Sequence, residues 1–346
     1  MNRPLRKKLS YTLSVVIGFG LFGAIVYYVG WRSILGQLQE LGSIGIIAVM
    51  GSVFLATISL LLGWWVILRS YGVRIPIRHI IGARMSGYAV SYLTPSLYFG
   101  GEPVRGLMAA EHANAPMTRI FATIVVERFL GGLSLVIFIL IGGFYAVVSP
   151  DINTIEKRVI VIGVAFVVFW IIIGLVNFVG NFKWMSQMVR LLRYPFRRWH
   201  DGIERAAAKV AETEDEIYDA FSRHWKGTLL AFLIQMVANF LVYMRPQVFF
   251  YFSMHQTFDF AQLSLLFTLN IMISFFLWIT PGGLGTGEAA SIGIFALVGV
   301  GRAEAVAFSL MFKFVELLLV GVGLFYLSNR GISRLFRVFK RRGRQH

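Results

Sequence analysis

Seven long apolar runs constrain this chain more than any other feature. They lie near residues 10–30, 44–68, 120–149, 159–181, 227–252, 259–280 and 305–327, and each is about long enough for one helix to cross a hydrocarbon core of roughly 30 Å. No water is present in such a core to satisfy backbone N–H and C=O groups, so each run is expected to fold as a helix, which pairs them internally. With 57% hydrophobic and 14% charged residues, the chain is unlike a soluble domain. It reads as an all-α polytopic membrane protein of about seven to eight transmembrane helices, one membrane domain over residues 1–346. A shorter run at 289–300 is where an eighth crossing would lie.

The formal net charge of +16 is distributed in a way that explains it. Arg3, Arg6, Lys7 and Lys8 precede the first run, and Arg69, Arg74, Arg78 and Arg84 follow the second. The 182–226 loop and the tail from 329 to 346 are strongly basic, whereas the alternate loops hold only Arg32, Lys157, Arg158 and Arg302. This asymmetry is the positive-inside pattern; it predicts a multi-pass protein of the cell (inner) membrane with both termini cytoplasmic and an even number of crossings. Nucleic acid is not needed to account for the charge, and the tail suits an anionic leaflet surface. The first run offers no convincing small-residue cleavage site and is expected to be retained.

In the 182–226 loop, Ile203, Val210 and Ile217 recur every seven residues, with Ala206 and Phe221 near the same stripe, which predicts an amphipathic helix. It either packs on its own domain or on lipid headgroups, or it receives a cytoplasmic partner. The chain has no cysteine, and its six histidines are scattered without ligand spacing. Neither a metal nor another cofactor is expected.

Two phrases interrupt the apolar pattern: "TPSLYFGGE", Thr94 to Glu102, and "TPGGLGTGE", Thr280 to Glu288. Their Thr-Pro and Gly-Glu dipeptides share one offset of 186 residues, 280 − 94, and the chain reads as two related halves. Proline removes a donor and disfavours helix before it, and clustered glycines permit close approach or positive φ. The phrases therefore predict broken or re-entrant segments through Thr94, Pro95, Gly100, Gly101, Thr280, Pro281, Gly282, Gly283, Gly285 and Gly287, with Pro95 and Pro281 meeting near the middle of the bilayer. Irregular backbone is tolerated there only against protein or a water-filled cavity, and paired interruptions are a pointer to a transporter site. Ordinary interfacial turns are the alternative.

Those phrases, with the pair Glu127–Arg128 and the stretch from Pro281 to Glu288 as the most specific parts, resemble the flippase-like membrane domain of lysylphosphatidylglycerol synthases over nearly the whole chain. Stand-alone proteins share that domain, some of them archaeal and linked to lipid-carried glycan assembly. In that family the first phrase usually reads closer to Pro-Gly-Arg-x-Gly-Glu; here it lacks the basic residue. The resemblance implies movement of a lipid or lipid-linked headgroup between leaflets, with anionic or polyprenyl-phosphate-linked lipids as partners. The soluble synthase half is expected to be absent, because no soluble stretch exceeds the 182–226 loop.

The residues are compatible with that chemistry. Arg105, Arg128, Arg245 and Lys313 are cations in or beside apolar segments, where charge is costly unless it serves a purpose; arginine binds phosphate through its planar fork and lysine as a point charge. Each also has a structural use: Glu127 and Arg128 pairing with neighbouring helices, Lys313 neutralised by Glu316, and Arg245 snorkelling to the interface. Glu102 and Glu288 have no cation at helical spacing except Arg105; they either titrate for proton coupling or cap the following helices. Tyr98, Phe99, Phe276 and Trp278 line a cavity or belong to interfacial belts. The chain is thus expected to be a non-enzymatic transporter or flippase, the alternative being a non-transporting subunit that recruits a cell-envelope or glycosyltransferase enzyme.

Overall fold

The computed structural model describes residues 20, 22–94, 100–148, 150, 154–194, 200–277 and 280–330. Most of the first apolar run, its basic lead from Arg3 to Lys8, Arg197, Arg198 and the tail from 331 lie outside them. The regular elements of the described residues are helical. They are α1 (Trp31–Glu40), α2 (Gly42–Ser70), α3 (Ile77–Leu93), α4 (Glu102–Ala110), α5 (Met117–Val148), α6 (Thr154–Gly180), α7 (Trp184–Leu191), α8 (His200–Ser222), α9 (Trp225–Tyr243), α10 (Arg245–Met254), α11 (Phe260–Leu277), α12 (Thr286–Ala296) and α13 (Arg302–Arg330).

Among the described residues, five stretches are long and apolar enough to cross a membrane: Gly42–Ser70, Met117–Tyr145, Ile160–Gly180, Trp225–Met254 and Arg302–Ser328. Their ends follow local chemistry. Past α2, Gly72 sits at φ 70°; its N–H donates to the Arg69 carbonyl and that of Val73 to the Leu68 carbonyl, a glycine-closed helix end. Pro76 then precedes α3. The fourth crossing changes from α9 to α10 at Met244, and Pro246 opens α10, where a missing donor is tolerated. α13 is the most enclosed of the five and α6 the least; α6 turns Ile162, Phe166, Phe169 and Trp170 outward, as a lipid-facing helix should.

The run at 289–300 supplies no crossing. It folds as α12, whose 11 residues rise only about 16 Å, and α12 pairs with α11 as the second arm of a hairpin. α3 and α4 form the corresponding hairpin in the first half: His79 stacks on His112, and the Gly101 N–H donates to Ser91 Oγ. The offset of 186 carries Glu102, the first residue of α4, onto Glu288 in the first turn of α12, and the start of α5 to within one residue of α13.

The direction of the halves follows from contacts. α5 doubles back along α4, with Gly106 against Phe121 and Glu102 opposite Arg128, so α3 and α5 point the same way. α13 doubles back along α12, with Glu288 opposite Lys313 and Phe295 on Phe308, so α11 and α13 agree likewise. Between halves the packing is antiparallel. Gly82 lies against Tyr326 while Ser86 Oγ donates to the Gly323 carbonyl; Phe260 meets Tyr145 and Phe267 meets Phe138. The two halves are therefore inverted repeats. Glu127 lies about 15 Å along α5 from its start and Lys313 about 16 Å along α13, at 1.5 Å per residue. Both therefore lie well inside long apolar helices that run in opposite directions.

The 182–226 segment is clamped to one end of the bundle. Glu214 on α8 accepts the N–H groups of Met185 and Ser186 at the start of α7, at 2.9 and 3.1 Å. Arg119 on α5 grips Glu216, and Ala207, Ile217 and Ala220 are buried. Ile203, Val210 and Phe221 are half-buried, and Ala206, included in the expected stripe, is exposed while its neighbour Ala207 is covered.

The close crossing of α3 and α13 depends on Gly323, where a Cβ would come within 2.2 Å of the Met85 carbonyl oxygen; two residues earlier, a Cβ on Gly321 would meet nothing within 4 Å. Gly323→Val should therefore destabilise the protein by about 1–3 kcal/mol or more beyond Gly321→Val, since overpacking adds to a helix-propensity cost that both share. Equal thermal unfolding of the two variants in detergent would contradict the crossing.

Candidate functional site

Each half breaks its first hairpin at the repeated phrase. In the first, Thr94 leaves α3 in extended conformation with its hydroxyl turned back to the Val90 carbonyl at 2.6 Å. The chain resumes at Gly100 and Gly101, where a Cβ on Gly101 would lie 1.8 Å from the Gly87 carbonyl oxygen; only glycine fits. In the second, residues 281–283 make a single tight turn in which Gly282 and Gly283 take φ 61° and 60°, followed by Gly285 at 78°. Thr280 Oγ1 closes it by donating to the Leu284 carbonyl at 2.8 Å. Gly282 lies against the Tyr92 ring at the end of α3, so the two interruptions approach each other. Pro95, Tyr98, Phe99 and Trp278 lie outside the described residues, as do the side chains of Phe276 and Pro281.

Charged groups gather around the breaks. Glu127, 3% exposed, accepts from Arg105 Nη1 at 2.7 Å, Arg84 Nη1 at 3.2 Å and Gln235 Nε2 at 3.1 Å. The Arg105 guanidinium lies 3.7 Å over the Trp64 ring, and Trp64 Nε1 is tied to Thr123 Oγ1 at 3.1 Å. Beside this cluster Arg128 Nη2 meets Glu102 at 2.6 Å. In the second half Lys313 Nζ donates to both Glu288 oxygens, at 2.7 and 2.8 Å, and to the Gly283 carbonyl at 2.7 Å. Gly287 leaves room for that ammonium. Arg245 lies 3.6 Å from Glu316 with its guanidinium over Phe312.

The two phrase-ending carboxylates thus play related parts: each meets a cation on the long helix that follows, Arg128 for Glu102 and Lys313 for Glu288. They differ in detail. Glu288 also accepts the Gly285 N–H at 2.7 Å and so caps α12, whereas Glu102 makes no capping hydrogen bond. Between the halves lies a cavity of about 600 Å³ on which Arg84, Glu102, Arg105, Glu127, Arg128, Arg245, Lys313 and Glu316 all open, among largely apolar walls.

Residues 11–323 match the lysylphosphatidylglycerol synthase TM region. The chain belongs to that family. Among its relatives, a UPF0104 membrane protein of Methanothermobacter thermautotrophicus is 23% identical over 315 residues, covering 87% of this chain and 90% of the relative. One from Pyrococcus horikoshii is 24% identical over 343 residues, covering 92% and 97%. No solved structure matches.

Family membership and geometry together sort the expected residues. Arg105, Arg128, Arg245, Lys313, Glu102 and Glu127 line one cavity, with Glu288 directly behind Lys313. Two pairings differ from expectation. Lys313 takes Glu288 rather than Glu316, because an ammonium at the break reaches a carboxylate and a carbonyl freed by the turn. Glu316 goes instead to Arg245, which faces inward and does not snorkel. Glu102 and Glu288, with no cation at helical spacing except Arg105, find their partners elsewhere: these lie 26 and 25 residues away in sequence and one helix away in space. Arg84, counted among the cations of a loop, lies on α3 with only 11% of its side chain exposed; its place between Gly82 and Gly87 in a run of small residues is the available signal. Trp64 and Gln235 gave none. His79 and His112 stack at 3.7 Å, and neither lines the cavity.

Lys313 has spent all three donors, so it serves as a staple for the second break. Lys313→Met should leave Glu288 buried and uncompensated, lowering stability by about 3–5 kcal/mol, while Lys313→Met with Glu288→Gln should recover much of that loss. Thermal denaturation of the single and double variants measures it; a double variant no more stable than Lys313→Met would refute the staple.

Proposed function

We propose that this protein passes the polar head of an anionic lipid, or of a lipid-linked headgroup, between the two leaflets through its central cavity. One observation carries the reading: a cavity lined by eight Arg, Lys and Glu side chains lies between two broken hairpins of inverted direction, at a depth where charge is expensive unless used. Inverted repeats with discontinuous helices meeting at mid-membrane are the arrangement that transporters use to bind cargo while either side opens. The halves rock about a site that both contribute to.

In this reading both termini and the 182–226 loop are cytoplasmic, which the distribution of basic residues supports. The first hairpin then enters from the cytoplasmic side and the second from the opposite side. The cavity walls divide the labour: charged groups replace water around the headgroup, and apolar faces accept the acyl or isoprenoid chains. Arg128, 44% exposed, is the cation best placed to meet a headgroup entering the cavity. No step here makes or breaks a covalent bond, in keeping with transport rather than catalysis.

The test is reconstitution of purified protein into vesicles carrying labelled anionic or zwitterionic lipids. Translocation of the anionic lipid is expected, and Arg128→Ala should slow it by about tenfold or more, the worth of one charge-assisted hydrogen bond, with folded protein unchanged. Absence of translocation of any lipid by folded wild-type protein would overturn the reading in favour of a non-transporting subunit, and altered headgroups among the recovered lipids would indicate an enzyme.

A further inference from the structure

We infer that the arginine cluster of the first half is built to receive one phosphate oxyanion, and that the Nε/Nη2 edge of Arg105 is its seat. The inference deepens the proposed transport function and rests on it only for the source of the anion.

Charge count gives the first argument. The second half is balanced, with Arg245 and Lys313 against Glu288 and Glu316. Among the described residues of the first half, Arg84, Arg105 and Arg128 pair only with Glu102 and Glu127, three cations against two carboxylates. An excess positive charge at mid-membrane depth is costly, and one monoanion removes it.

Hydrogen bonding gives the second, independent argument. Arg105 is 4% exposed and spends Nη1 on Glu127, yet its Nε and Nη2 are buried with no partner among the described residues. A buried donor left unpaired is destabilising. These two groups lie side by side on one edge of the guanidinium, the edge that grips two oxygens of one anion. The guanidinium is held by the Trp64 ring on its face and by Glu127 at its far nitrogen. Lys313 offers no such opening, since its donors go to Glu288 and Gly283. A tetrahedral oxyanion fits better than a carboxylate, because it has oxygens for Arg128 as well as for Arg105. In this conformation the Arg105 edge is closed off while Arg128 is exposed. The anion meets Arg128 first and settles on Arg105 as neighbouring side chains part.

Binding to purified protein in detergent tests this with three soluble probes: dihexanoyl phosphatidylglycerol, inorganic phosphate, and dihexanoylglycerol, which has no phosphate. The phosphodiester should bind and dihexanoylglycerol should not. Arg105→Lys keeps the charge but loses the two-pronged edge, and should weaken the phosphodiester about tenfold. Trp64→Phe, which leaves Arg105 in place but less firmly held, should weaken it by a smaller factor and serves if Arg105→Lys does not fold. Inorganic phosphate competing at the same Arg105-dependent site supports the oxyanion seat and points to a free ion as a second source; preference for the diester assigns the seat to lipid. Unchanged phosphodiester affinity in folded Arg105→Lys overturns the inference, and so does equal binding of dihexanoylglycerol. The transport reading fails separately: wild-type protein that binds the phosphodiester at Arg105 but moves no lipid in vesicles leaves the seat and removes the transport.

Discussion

A carboxylate buried inside a membrane protein can stay ionised only if other groups replace the water it has lost, and Glu127 is the residue around which this protein meets that condition. Arg84, Arg105 and Gln235 converge on it from three different helices, α3, α4 and α9, and Trp64 on α2 backs Arg105. Removing water makes each of these contacts stronger than it would be at a surface, and makes any vacancy among them more costly. The contacts therefore define how α2, α3, α4, α5 and α9 sit relative to one another, in a region where apolar packing against lipid-like neighbours offers less direction.

The second half solves the same problem by a different route. There the backbone itself takes part: the turn through Gly282 and Gly283 frees a carbonyl for Lys313, and Glu288 caps the helix that follows. The first half relies on side chains from several helices and has a surplus of cationic groups; the second balances its charges, Lys313 against Glu288 and Arg245 against Glu316. Inverted repeats give the two halves equivalent scaffolds, and this difference in how charge is satisfied makes them unequal partners around one cavity. A half whose charges balance and a half with a surplus cation is a workable division between anchoring and cargo binding.

Much of the fold was legible beforehand for physical reasons. Length and hydropathy identify membrane helices because the bilayer leaves few other ways to satisfy a backbone, and the repeated Thr-Pro and Gly-Glu dipeptides mark interruptions because proline and glycine act locally. Pairing was not legible. Lys313 has Glu316 at helical spacing, yet it chooses Glu288; Arg245 looks like an interfacial residue and is turned inward by Glu316. Arg84 counts as a topological cation by its position between apolar runs, although a run of small residues carries it into the bundle. The 289–300 run has the composition of a crossing but not the length.

The sequence by itself determined the class of the protein, the places where its helices break, the existence of two halves and the residue types available for an anionic cargo. These rest on interactions within a few residues or on the solvent a segment requires. Tertiary structure decided that the halves are inverted, that 260–277 and 286–296 form a hairpin, and which acid meets which base. Direction and pairing depend on which helix faces which across the bundle, and helical spacing carries no record of that: cations 25 and 26 residues away become partners only once α5 and α13 fold back over the breaks.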